Sequence, residues 1–145
     1  MSGPATVTAD FETRLQMPGT DSVIPVIVTL AYDRADPCAV TASFHVGTGK
    51  FVTWMFAREL LRAGQRAHVG GGDVEIWPRP GGIVGVAISS PYGEAVFDFP
   101  ARRVGDFIRG TYELVPREEE PGIVAAELDG LFGPGGALHA KERDA

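Results

Sequence analysis

The chain has 145 residues, one domain's worth, and is long enough to bury a core without disulfides or a metal. Its 44% hydrophobic and 22% charged content is that of a globular protein; no run approaches the roughly 18 apolar residues of a membrane span, and Met1-Ser2-Gly3-Pro4 lacks the basic-then-apolar pattern of a secretory signal, so a cytoplasmic protein without membrane insertion is expected. Thirteen basic against 19 acidic residues give a net charge of −6, which repels phosphate backbones at long range, and the single Cys38 excludes an internal disulfide.

In chain order, Val7, Ala9, Phe11, Thr13 and Leu15 alternate with polar residues, the pattern of a half-buried strand. Pro18, Gly19 and Asp21 supply a turn. Val23 to Tyr32 is β-branched and apolar, a second strand; Pro25 cannot donate to a ladder, so it belongs at a strand start or edge. After a turn at Asp33 to Pro37, Val40, Ala42, Phe44 and Val46 give a third strand. Gly47-Thr48-Gly49 is a hairpin turn, and Val52, Trp54 and Phe56 lie on a fourth strand. Helix formers then fill Ala57 to Ala63, with Gly64 placed for a left-handed residue just past the helix end.

Gly70-Gly71-Gly72 is a flexible loop. Val74, Ile76 and Trp77 give a fifth strand stopped by Pro78 and Pro80. Ile83 to Ile88 is a nearly continuous apolar run, the mark of a central strand buried on both faces. Ser89 to Gly93 turns the chain, and Ala95, Phe97 and Phe99 form a seventh strand. Val104, Phe107, Ile108, Thr111 and Tyr112 then occupy one face of a long helix that Pro116 ends. The expected division is a single α+β domain over 1–116, a tail over 117–132 and disorder over 133–145. Within the tail, Ile123, Val124, Glu127, Leu128, Leu131 and Phe132 suit one short amphipathic helix. The order ββββ-α-βββ-α predicts antiparallel sheet with helices on one side or end. Periodicity predicts a core of Phe11, Leu15, Val28, Leu30, Phe44, Trp54, Phe56, Leu60, Val84, Val86, Ile88, Phe107 and Ile108.

Chemical motifs are not found. Gly47-Thr48-Gly49-Lys50 lacks the upstream Gly and the following Ser or Thr of a phosphate loop, and it joins two strands. The triple Gly at 70–72 lacks dinucleotide-binding spacing. Ser89 and Ser90 are not in a nucleophile elbow. His45, His68 and His139 lie far apart; His45 falls on the non-core side of its strand. Cys38 reads as a passive small residue, and Glu94 with Asp98 as charged surface. No enzyme, metal, cofactor or small-molecule substrate is expected. Trp54 and Trp77 most simply fill the core, although Trp77, beside Pro78 at a strand end, also suits an interface. Arg102, Arg103 and Arg109 read as a solvated helix face or as a contact for an acidic partner.

Five ordered blocks carry a resemblance: Tyr32 to Val40 with Phe44-His45-Val46-Gly47; Trp54 to Leu61 with Gly64; Gly72 to Pro78; Ser89 to Ala95; and Thr111 to Pro116. Over about residues 6–120 the chain resembles the SsgA-like proteins of morphologically complex actinomycetes. Cys38 stands where an aromatic residue is usual, and Phe97-Asp98-Phe99 is unusually aromatic, so the paralogue stays open. The resemblance implies control of septum formation and spore maturation and a fold like the Whirly single-stranded nucleic-acid-binding proteins. It also implies a homotrimer and partners such as the tubulin-like division GTPase FtsZ or another septal protein. A non-catalytic regulator working through protein contacts, with Arg102, Arg103, Arg109 and Trp77 as candidate contacts, is therefore expected. Single-stranded nucleic-acid binding is the alternative. It is disfavoured because Arg14, Arg34, Lys50 and Arg79 flank turns rather than line a sheet face.

Overall fold

The computed structural model describes residues 5–17, 19–47, 49–91 and 93–121. The helix expected within 123–132 and the disorder expected over 133–145 lie outside the described residues. Strands β1 (Thr6–Gln16), β2 (Val23–Asp33), β3 (Ala39–Gly47) and β4 (Lys50–Ala57) lead into helix α1 (Arg58–Ala63). Strands β5 (Val69–Gly70), β6 (Val74–Arg79), β7 (Ile83–Ser90) and β8 (Gly93–Pro100) lead into α2 (Ala101–Leu114) and a 3-10 turn at Arg117–Glu119. The order is thus ββββα twice, not ββββ-α-βββ-α. The additional strand, β5, has two residues, too few for any periodicity; it pairs Val69 with Ile76 and Gly70 with Glu75.

All pairings are antiparallel in one eight-stranded sheet, ordered β4-β3-β2-β1-β8-β7-β6-β5. Each half is a meander of sequence neighbours. Among the described residues, strand pairing joins the halves only where Arg14, Leu15 and Gln16 of β1 meet Asp98, Phe97 and Val96 of β8. The sheet bends at this joint, so that Phe44 of β3 meets Phe97 of β8 with ring centroids 4.4 Å apart. Pro25 lies near the start of β2, before β2 begins to pair with β3 at Val28, so its missing N–H leaves no gap in that ladder.

Away from the joint, β1 diverges from β8, and α2 fills the space. Val104, Phe107, Ile108 and Thr111 form its buried face, and Phe107 stands edge-on to Phe11 (6.4 Å, 82°). Of the predicted core, Phe11, Val28, Leu30, Phe44, Phe56, Val84, Val86, Ile88, Phe107 and Ile108 are buried; Leu15, Trp54 and Leu60 are half-buried against it. In α1 the buried leucine is Leu61. Gly64 departs from expectation: its φ is −65°, right-handed and open to any residue. Glycine is needed there for space, since a Cβ would stand 2.2 Å from Cγ2 of Ile76.

β7 is buried on both faces from Val84 to Ile88. Its outer face is covered by side chains of the neighbouring strand. Gly85 leaves room for the Trp77 indole, whose Cε2 would stand 2.8 Å from a Cβ there, and Arg79 passes over the same glycine to pair with Asp98 of β8 at 2.6 Å. Trp77 is therefore not a core residue. Ile76 takes the inward position on β6, and period-two alternation sends the next side chain outward.

Candidate interaction surfaces

Among the described residues, no three His, Cys, Asp or Glu side chains converge as a metal-binding group. No helix among them is long and apolar enough to cross a membrane. What the fold presents is a set of surfaces and one buried ionic anchor.

On α2, Arg102, Asp106, Arg109 and Glu113 recur at helical spacing and are exposed. Arg109 donates to Asp106 at 3.0 Å, so the stripe is mixed in charge rather than cationic. Arg103 points elsewhere: it donates to the Asp10 carbonyl at 2.7 Å, and its guanidinium lies 4.9 Å over the Phe11 ring. The three arginines thus occupy one helix but not one contact face. Trp77 belongs to a separate site, where His68 stacks on it (5.3 Å, 12°) and approaches Glu75 at 3.2 Å.

The outer face of β2–β4 is apolar in patches. Val23 and Ile27 are exposed, Phe51 is 61% exposed, and His45 sits between the strands, 3.2 Å from the Thr29 hydroxyl and beside the Phe51 ring. Single exposed apolar residues need no explanation, but several on one sheet face mark a contact surface. A second apolar region opens on the inner side, at the end of the bent sheet that α2 does not cover. There, Leu15, Phe44, Val52, Trp54, Ile88 and Phe97 line a cavity of about 310 Å³.

The buried anchor is a residue that sequence reasoning passed over as a helix former. Arg58 is fully buried. Its guanidinium donates to the Thr111 and Val115 carbonyls at 3.0 and 2.8 Å and lies 3.8 Å from the Tyr112 ring centroid and 4.9 Å from that of Tyr32. It also pairs with Glu120, while its Nε has no partner among the described residues. A cation there faces the negative end of α2, which favours it. Burial pushes the Tyr32 hydroxyl up to about 12 and raises the Tyr112 hydroxyl, in each case partly countered by the Arg58 charge. The Cys38 thiol is exposed, and partial desolvation by its surroundings, with the Glu120 charge, raises it above the ordinary thiol range. On α1, the Arg62 hydrogen bond holds the Glu59 carboxyl below its ordinary range.

These surfaces identify no chemistry, and sequence and fold comparison decides the family. The profile described as Streptomyces sporulation and cell division protein, SsgA, matches residues 26–120. The chain belongs to the SsgA-like family. It is 41% identical over 126 residues to the sporulation-specific cell division protein SsgB of Frankia casuarinae, covering 85% of this chain and 87% of the relative. It is 43% identical over 114 residues to SsgB of Streptomyces coelicolor, covering 77% and 82%. The crystal structure of an SsgA-like sporulation-specific cell division protein from Thermobifida fusca superposes with a TM-score of 0.79, 37% identity and coverage of 89% and 96%. A solved SsgB structure, described with mutations in SsgB that correlate to longitudinal cell division during sporulation of Streptomyces coelicolor, gives 0.75, 41% identity and coverage of 81% and 94%. The SsgA-like fold is thus α+β with an antiparallel sheet, and this chain has a role in sporulation septation. The family is one of cell-division regulators rather than an enzyme family.

Proposed function

We propose that this chain is a non-catalytic adaptor of sporulation-specific cell division, cytoplasmic and recruited to the septum, where it binds FtsZ or another septal protein. It needs no cofactor or small-molecule substrate for this. The observation that carries the reading is the exposed apolar row of Val23, Ile27 and Phe51 on the outer sheet face. A second copy completing a homotrimer and a division protein are the two partners this surface serves. Arg102, Arg109 and Trp77 supply further contacts; Arg103 contributes once it leaves Asp10. An acidic partner segment suits the two outward arginines through charge-assisted hydrogen bonds.

Two experiments test the reading. A tagged Phe51→Asp, Ile27→Asp chain should fold but fail to mark septa in a sporulating host, and R102A/R109A should weaken marking. Septal marking at parental levels by the folded apolar variant would overturn the role of this face. Light scattering should give a mass near three times 15.4 kDa; a monomer across micromolar concentrations counts against the trimer.

The competing reading is a Whirly-like fold retaining single-stranded nucleic-acid binding. The outer face argues against it: its charges are mixed, Asp10, Glu12 and Glu75 standing with Arg14 and Arg79 and the last of these already paired with Asp98, so it presents no cationic groove for phosphates. Labelled single-stranded DNA titrated at physiological salt should not bind; submicromolar affinity would replace the adaptor reading.

A further inference from the structure

Arg58 is only partly satisfied by its own chain. Nη1 donates to two backbone carbonyls, Thr111 at 3.0 Å and Val115 at 2.8 Å. Nη2 donates to Oε1 of Glu120. The Nε–H lies along the same edge of the guanidinium as Nη2; it is buried and has no acceptor among the described residues. That edge is one on which an arginine grips a carboxylate with two parallel hydrogen bonds, and Glu120 makes one of the two. A buried N–H without an acceptor is costly, so the site favours a carboxylate that reaches both nitrogens.

The two sides of the pair are unequally held. On the arginine side Thr111, Val115 and Tyr32 are buried, and the two carbonyls hold the guanidinium whether or not a carboxylate is bound. On the other side the Glu120 side chain is 25% exposed and ends the short turn Arg117–Glu119. A built receptor thus meets an exposed occupant bound at one point. That occupant shows which chemistry fits, since it is the last of three consecutive glutamates, Glu118-Glu119-Glu120. Two exposed arginines stand at the same end of α2: Arg34, which donates to the Leu114 carbonyl at 3.3 Å, and Arg117, 3.6 Å from Glu59.

We propose that Arg58 is a carboxylate-binding site for a protein partner, in which an acidic segment of the partner displaces Glu120 and takes both Nε and Nη2 with one carboxylate. Arg58 follows the end of β4 and Phe51 lies near its start, so this site is separate from the apolar row on the outer face and stands whether or not that row is a contact.

The test follows the Arg58 Nε–H by nitrogen-edited NMR in the full-length chain. In Glu120→Ala, a blocked peptide of residues 117–121 should bind saturably and move that proton downfield, and the same peptide carrying Glu120→Gln should not. The parent should show the same shift at about tenfold higher peptide, because its tethered Glu120 competes at millimolar effective concentration. Sodium acetate should raise the Tm of Glu120→Ala toward the parental value, and sodium chloride at equal ionic strength should not. A folded Glu120→Ala chain whose Nε–H and Tm ignore both peptide and acetate would overturn the proposal. An unmoved Nε–H in the parent at saturating peptide would also overturn it, making Glu120 a permanent structural partner. Equal affinity for the two peptides would do the same, placing them elsewhere on the surface.

Discussion

Arg58, at the start of α1, is a buried charge that joins β2 to α2. Its charge is buried, flanked by two tyrosine rings, and neutralised by Glu120 at the protein's edge. Removing one partner of a buried pair strands the other. Arg58→Ala should cost about 3–5 kcal/mol. Glu120→Gln should cost less, roughly 2–3 kcal/mol, because the carboxylate is partly solvated and the α2 carbonyls remain as acceptors. Equilibrium urea denaturation of both variants checks the order; a larger loss for Glu120→Gln would contradict it. Tyr32 makes a pH prediction. Its folded-state hydroxyl titrates near 12 against 10 for a free tyrosine, so the unfolded chain gives up its proton first as pH rises. The Tyr32 contribution to stability is whole below pH 10 and is lost toward pH 12. Tyr32→Phe should lose about 1 kcal/mol at pH 8 with its bond to the Pro37 carbonyl, and the gap to the parent should narrow above pH 10. Neither role was legible in the sequence. An arginine among helix formers reads as surface, and only packing against a distant helix end reveals otherwise. Trp77 was legible in part, since the alternation of Val74 and Ile76 already assigns it to the opposite face.

At the scale of elements, α2 was the clearest reading, because its apolar stripe has the helical period and its boundaries are set by prolines at 100 and 116. Phe107 packs edge-on to Phe11 at the centre of that stripe, so Phe107→Ala should cost about 3–5 kcal/mol in chemical denaturation. The strands of both meanders were equally legible from alternation, and the double-sided burial of β7 from its unbroken apolar run. What escaped were β5, whose two residues give no pattern, and the reason for Gly64, whose neighbour Ile76 comes from another strand. Gly64→Ala tests that reason: overpacking against Ile76 should destabilise the protein by about 1–3 kcal/mol, whereas a purely conformational role at negative φ would let alanine stabilise it. The candidate surfaces were less legible than the fold. Arginines close in sequence on a helix diverge by about 100° per residue, so Arg103 leaves the face that Arg102 and Arg109 share.

For the whole molecule, the sheet order has a kinetic consequence. Every pairing except one joins strands adjacent in sequence, so each four-stranded half closes through short, entropically cheap loops. The exception is the joint of Arg14, Leu15 and Gln16 with Val96, Phe97 and Asp98, which brings the first strand to the last. Contacts of such wide separation dominate the barrier in small domains. The two meanders should therefore form early and independently, and their docking across the β1–β8 joint should set the folding rate. Phe97→Leu would then slow refolding nearly in proportion to its loss of stability, while a meander substitution of equal cost, such as Val40→Ala, would mainly speed unfolding. Stopped-flow chevrons of the pair measure this, and equal effects on both refolding rates would refute an ordered assembly by halves.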